Sequence, residues 1–122
     1  MTDSRRSILV IDDEHIIADT LALILANAGF QPHVAYNGVS GLEIARAKKP
    51  EIVLSDVILP GMNGVELATQ IRQILPGSRI ILFSGQAVTA DMLESAKESG
   101  EEFEVLAKPV DPEELLSKLR DS

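Results

Sequence analysis

Short apolar runs alternate with longer segments of helical spacing along this sequence. Most of the apolar runs are continuous rather than alternating, which is typical of strands covered on both faces of a sheet. We therefore predict strands at residues 8–11, 33–36, 52–54, 80–83 and 103–107.

The segments between these strands have the periodicity of helices, and several carry end signals. Gly29 stands where the first helix would end, and Asn63, with Glu66 three residues later, is the predicted cap of the third. Asp111 followed by Pro112 predicts the start of the fifth helix. The second and fourth helices are predicted over residues 39–47 and 89–100, the fourth capped by Thr89. In the first helix, one apolar stripe is predicted from Ile16, Ile17, Thr20, Leu21, Ile24 and Leu25.

Five strand–helix repeats in 122 residues predict a parallel sheet with helices on both faces. Right-handed crossovers leave few topologies. We expect a flavodoxin-like, doubly wound α/β fold with five strands in the order 2-1-3-4-5. Residues 1–122 are interpreted as a single domain with an ordered core at about 6–120.

Composition narrows the possible functions. The chain has 19 acidic and 11 basic residues and a formal charge of −8, so nucleic acid and anionic lipid are not expected as direct partners. The absence of cysteine excludes disulfides, thiolate metal sites and cysteine nucleophiles. The apolar run at residues 8–11 is too short for a signal peptide or a membrane span. We expect a soluble, cytoplasmic protein.

Polar side chains follow four of the five predicted strands, each time at the carboxyl end. They are Asp12 and Asp13, Asp56, Ser84 and Lys108. Because ligands of open parallel sheets bind beyond the carboxyl ends of the strands, we expect one crevice holding three carboxylates, a hydroxyl and an ammonium. Two carboxylates about 4 Å apart repel by about 4 kcal/mol at an effective dielectric of about 20, so such a crevice calls for a cation.

The oxygen-only ligand set indicates magnesium, and a carboxylate beside a metal can be a nucleophile toward phosphorus. Lys108 would supply positive charge for an incoming anion. Each residue alone has a more ordinary explanation, such as a helix-dipole acid or a solvated lysine. Their common position at the carboxyl ends favours a site. His15 and His33 have no partner at metal spacing and are interpreted as surface or packing residues.

Four segments together resemble the response-regulator receiver domain of two-component signalling, over essentially the whole chain. They are residues 8–14, 55–64, 83–85 and 108–109. The resemblance implies a chemotaxis-regulator-like switch that uses Mg²⁺ and takes a phosphoryl group from a sensor histidine kinase or a histidine phosphotransfer protein. It would then act on a downstream protein target or on an output domain missing from this sequence. Such a protein is not a conventional enzyme, since it catalyses only its own phosphotransfer and dephosphorylation.

The resemblance also implies a role for each residue of the crevice. Asp56 would be the phosphoacceptor, Lys108 would contact the phosphoryl group, and Ser84 would close on it after transfer. Magnesium would be held by Asp12, Asp13, Asp56 and the backbone carbonyl of Ile58.

Two further positions bear on the resemblance. Gly85 would leave the site open. Receivers usually carry Tyr or Phe three residues before the lysine, where this chain has Val105. Phe103, two residues earlier, is interpreted as a core residue rather than a substitute.

Three other functions stay open at this point. A phosphatase of the haloacid dehalogenase kind also uses an Asp nucleophile, but it needs a second Asp two residues on, where Asp12 is followed by Glu14. A flavodoxin-like cofactor binder would place a flavin phosphate against three acids, which like charges disfavour. A receiver-fold interaction module with little phosphorylation would be expected to have lost part of the residue set.

Overall fold

The computed structural model describes residues 5–84, 94 and 103–120. The predicted fourth helix therefore lies outside the described residues, except for Glu94, whose backbone is helical. The elements are β1 (Ser7–Ile11), α1 (His15–Asn27), β2 (Gln31–Ala35), α2 (Gly38–Lys48), β3 (Ile52–Asp56), β4 (Ile58–Leu59), β5 (Met62–Asn63), α3 (Gly64–Ile74), β6 (Arg79–Ser84), β7 (Glu104–Ala107) and the C-terminal helix (Pro112–Arg120).

Five parallel strands form one sheet in the order β2-β1-β3-β6-β7. Numbered within that sheet alone, the order is 2-1-3-4-5, so the flavodoxin-like prediction is confirmed. Strands β4 and β5 form a separate antiparallel pair directly after β3, which the sequence pattern did not predict. Gly61 lies between them with φ of 71°, a conformation that glycine adopts without a steric penalty.

An apolar layer covers each face of the sheet. Side chains alternate along β1, so that Leu9 and Ile11 join the layer under α2 and α3, while Ile8 and Val10 join the layer under α1 and the C-terminal helix. All four are fully buried. Burial on both faces explains why the strands are continuous apolar runs in the sequence.

Helix α1 buries a narrower stripe than its pattern predicts. Ala18, Leu21 and Leu25 are buried, whereas Ile16 is 83% exposed and Thr20 is also exposed. The predicted stripe was wrong at these two positions because the buried line runs through 18, 21 and 25, which leaves 16 and 20 at its solvent edge.

The predicted helix starts are confirmed where the structure describes them. The Asn63 Oδ1 accepts a hydrogen bond from the Val65 amide at 2.7 Å, and the Asp111 Oδ1 accepts one from the Glu113 amide at 2.9 Å. Each bond satisfies an amide that the first helical turn leaves without a partner. The cap at Asn63 also fixes the start of α3, which lies next to the end of β3 in space although β4 and β5 come between them in the chain.

Candidate functional site

Four strands of the sheet place polar side chains at one edge. The register pairs Asp56 with Phe83 and Ser84 with Ala107, so the ends of β3, β6 and β7 lie side by side. On the other side of β3, Ile11 pairs with Ser55, which places the end of β1 next to Asp56. The residues that follow these strands therefore meet at one edge, as parallel pairing requires.

Three carboxylates converge there. Each of Asp12, Asp13 and Asp56 has an oxygen atom within 4.8 Å of an oxygen of the other two. Asp12 is fully buried and Asp56 is 7% exposed, whereas Asp13 reaches solvent. We call this group the aspartate cluster.

Lys108 joins the aspartate cluster from the end of β7, which β6 separates from β3 in the sheet. Its Nζ donates a hydrogen bond to Asp56 Oδ2 at 2.5 Å and lies 3.7 Å from Asp12 Oδ2. Burial by itself would lower the pKa of Lys108, but the hydrogen bond to Asp56 and the nearby carboxylate charges raise it above its usual range. Lys108 therefore carries a fixed positive charge at neutral pH.

Asp12 is the member of the aspartate cluster whose negative charge is most destabilised by burial. Its Oδ1 accepts a hydrogen bond from the Glu14 amide at 3.0 Å, but its Oδ2 has no hydrogen-bond partner among the residues that the structure describes. Burial raises the pKa of Asp12, and repulsion from Asp56 and Asp13 adds to this, against the opposing effects of the Glu14 amide and Lys108. A buried carboxylate oxygen without a donor is suited to a cation.

The backbone around Asp56 is tightly fixed. The Ile58 amide donates to Asp56 Oδ1 at 3.1 Å, and the Gly64 amide donates to the Val57 carbonyl at 2.7 Å. A Cβ atom at Gly64 would lie only 2.3 Å from the Asp56 carbonyl oxygen. Helix α3 therefore starts directly against the end of β3, and only glycine fits at that contact. The sequence pattern assigns no role to Gly64, although a glycine directly after the Asn63 cap is a signal of such a close contact.

The remaining predicted site residues are placed as follows. Ser84 is half-buried at the end of β6, and its carbonyl accepts a hydrogen bond from the Lys108 amide at 3.0 Å. The side chain of Ile58 is 48% exposed beside Asp56, and its carbonyl as a metal ligand stays a prediction. Gly85 lies outside the described residues.

The structure places Val105 and Phe103 differently from each other. Val105 is 38% exposed on β7. Phe103 packs against the apolar layer under α2 and α3, and the guanidinium carbon of Arg72 lies 4.3 Å from its ring centroid. This agrees with the interpretation of Phe103 as a core residue.

These observations define an open α/β protein with an aspartate cluster and a lysine at the carboxyl edge of a parallel sheet. Within the part of the chain that is described, no helix has both the length and the apolar character needed to cross a membrane. Comparison with known proteins identifies the family. A family model for the response regulator receiver domain matches residues 8–120, and the chain belongs to that family.

Individual relatives agree with this assignment. The DNA-binding response regulator MtrA of Mycobacterium tuberculosis is 31% identical over 120 residues, which are 98% of this chain and 51% of that protein. The chain thus spans about half the length of the curated relatives it matches. A CheY-like receiver domain protein from Methanospirillum hungatei JF-1 has 29% identity and a TM-score of 0.87, with 97% of this chain and 93% of that chain covered. Chemotaxis response regulator CheY4 of Vibrio cholerae has 25% identity and a TM-score of 0.84, with 97% and 98% covered.

Proposed function

We propose that this chain is a phosphorylation-dependent switch whose phosphoacceptor is Asp56. The observation that carries the proposal is the position of Asp56 in the aspartate cluster, with its carboxylate in contact with Lys108. Membership of the receiver family supports the same role. It also argues against the phosphatase and the flavin-binding alternatives, which belong to other families.

The carboxylate of Asp56 is oriented for attack on phosphorus. One oxygen is fixed by the Ile58 amide and the other by Lys108. In the proposed transfer, an Asp56 oxygen forms a bond to phosphorus while the P–N bond of a phosphohistidine donor breaks and its electron pair stays on the imidazole nitrogen. The Lys108 ammonium then moves its hydrogen bonds to the phosphoryl oxygens and offsets their charge.

The donor atoms of the aspartate cluster fit a hard divalent cation such as Mg²⁺. The set is made of carboxylate oxygens, and the buried Asp12 Oδ2 has no hydrogen-bond partner among the described residues. Asp12, Asp13, Asp56 and the Ile58 carbonyl would hold the ion. When bound, it would offset the negative charge that the carboxylates and the phosphoryl group bring together.

The remaining parts of the proposal concern partners and output. We propose that the donor is a sensor histidine kinase or a histidine phosphotransfer protein, in the cytoplasm, and that Ser84 closes on the phosphoryl group. The added charge would then bias the surface beside β7. MtrA is named as a DNA-binding response regulator and is about twice as long as this chain. For this chain, the output would be a docked protein target or an attached domain.

The test is phosphorylation by acetyl phosphate with MgCl₂, followed by intact mass measurement and peptide mapping. We expect a single phosphoryl group, lost in Asp56→Ala and retained in the control Glu43→Gln, which changes an exposed acid on α2. Mapping of the group to Ser84 or Ser55 would show that the assignment of Asp56 is wrong. A wild-type chain that takes up no phosphoryl group would favour the interaction-module alternative.

A further inference from the structure

Two aromatic rings stack beside the aspartate cluster without belonging to it. The rings of His15 and Tyr36 have centroids 3.7 Å apart and planes inclined by 19°. His15 is the first residue of α1, and Tyr36 directly follows β2. The Tyr36 hydroxyl donates a hydrogen bond to Asp19 Oδ1 at 2.6 Å, one turn further along α1. We call His15, Tyr36 and Asp19 the ring clamp.

The ring clamp is attached to the loop that carries Asp13. On one side of Asp13, the Asp12 amide donates to the Ala35 carbonyl at 3.1 Å. On the other side, Glu14 occupies the cap position of α1 but makes no side-chain cap hydrogen bond. The Glu14 amide is held by Asp12 Oδ1 at 3.0 Å, and the stack on His15 adds a second anchor one residue further on.

Asp13 is the solvent-exposed member of the aspartate cluster. Asp12 and Asp56 are buried in place, whereas Asp13 is exposed. Repulsion among three carboxylates within 4.8 Å of one another favours outward movement of the exposed one when no cation is bound. An anchor directly after Asp13 opposes that movement.

We propose that the ring clamp is a positioning device that holds Asp13 within the aspartate cluster before a cation arrives and so strengthens divalent cation binding. This rests on the proposed function, in which Asp13 is a cation ligand. Loss of the clamp lowers the fraction of molecules whose loop is ready to bind, and the apparent Kd rises in proportion. The free energy that an aromatic pair typically contributes corresponds to about a two- to tenfold rise in Kd.

The first measurement is calorimetric titration of Mg²⁺ into the chelator-treated full chain at pH 8. We expect a weaker Kd in His15→Ala and in Tyr36→Leu, and near-wild-type binding in His15→Phe, which keeps a ring for stacking. The double variant His15→Ala/Tyr36→Leu should lose little more Mg²⁺ affinity than either single variant, because each of these changes removes the same stack. Leu23→Ala is the control, since Leu23 is exposed on the same helix and distant from the loop.

Two further measurements separate positioning from a merely structural role. In phosphorylation by acetyl phosphate, the clamp variants should need more Mg²⁺ for half-maximal rate yet reach the wild-type plateau. The chain has one tyrosine and no tryptophan, so acrylamide quenching of tyrosine fluorescence reports on the stack directly. We expect stronger quenching in His15→Ala than in the wild type.

The outcomes discriminate between this inference and the proposed function. If the wild type binds Mg²⁺ and is phosphorylated but both single variants keep its Kd, the clamp inference is overturned and the switch stands. If the wild type itself neither binds Mg²⁺ nor accepts a phosphoryl group, the proposed function fails first. Should Tyr36→Leu not fold, the His15 pair decides the matter, because His15 is exposed.

Discussion

Replacing Asp12 with Asn should make the metal-free protein more stable, although it alters a proposed ligand. Asp12 is fully buried, and its Oδ2 has no hydrogen bond within the described residues. The unfolded chain hydrates this carboxylate, whereas the folded chain does not, so the charge costs folding free energy. An Asn side chain keeps the oxygen that accepts from the Glu14 amide and removes the charge.

The size of the effect follows from the distances. At an effective dielectric of about 20, unit charges no more than 4.8 Å apart repel by at least ~3.5 kcal/mol, and Lys108 at 3.7 Å from Asp12 Oδ2 attracts by ~4.5 kcal/mol. Asp56 and Asp13 both repel Asp12, although solvent screens the exposed Asp13. Adding the cost of burial, we expect a gain of about 1–2 kcal/mol for Asp12→Asn at pH 7.

The pH dependence has a definite sign. The pKa of Asp12 in the folded protein is raised above its ordinary value of 3.8. As pH rises from 3.8 through the raised pKa, the folded chain holds its proton longer than the unfolded chain, so wild-type stability falls. The advantage of Asp12→Asn should therefore grow over this range and level off above it.

Urea denaturation in chelator and in excess Mg²⁺ tests this prediction. In chelator, Asp12→Asn should unfold at a higher urea concentration than the wild type. Asp13→Asn should gain less stability, because Asp13 is exposed. Mg²⁺ should stabilise the wild type by about 2.7 kcal/mol at one hundred times Kd and neither variant to that extent. Glu43→Gln makes the same charge change away from the site. A chelator-treated Asp12→Asn protein no more stable than Glu43→Gln would refute the crowded-carboxylate argument.

Two predictions concern the scaffold of the site. Gly64→Ala should lower the free energy of unfolding by about 1–3 kcal/mol in urea denaturation, because the new Cβ atom would lie 2.3 Å from the Asp56 carbonyl oxygen. Gly77→Ala is the matched control, since a Cβ atom there would have no non-adjacent neighbour within 4 Å among the described residues. Glu104→Gln should cost about 0.5–1 kcal/mol at pH 7, because Glu104 forms two hydrogen bonds of 2.7 Å with Arg79. These bonds lower the pKa of Glu104, so the stability difference between the wild type and Glu104→Gln should be full above about pH 4.5 and vanish as pH falls through the lowered pKa. A stability difference that stays unchanged in acid would contradict this prediction.

The sheet and the aspartate cluster could be predicted because both depend on patterns with few solutions. Continuous apolar runs require burial on both faces, which only a parallel sheet between helix layers provides in a chain of this length. Once the strand order is fixed, residues that follow neighbouring strands must meet at one edge. Asp12, Asp56 and Lys108 are far apart in sequence, yet topology alone brings them together.

Other features depend on details that periodicity does not contain. Two-residue strands such as β4 and β5 are too short to show a period. The exposure of Ile16 depends on how α1 is rotated over the sheet, which packing sets rather than the helix's own pattern. The stack of His15 on Tyr36 joins residues from different elements, and neither residue type signals the other.

The position of Phe103 limits how the proposed switch can pass on its signal. Glu104 pairs with Ile81 and Ala107 pairs with Ser84, so Phe103 lies about 13 Å along the strand from the partner of Ser84. Its ring is packed against the core under Arg72 and is not available to follow the Ser84 hydroxyl. Val105, at the usual aromatic position, has a short branched side chain with no ring to turn inward. Within residues 5–84 and 103–120, movement of Ser84 would instead reach β7 through the paired backbones of β6 and β7, which the hydrogen bond from the Lys108 amide to the Ser84 carbonyl links to the site.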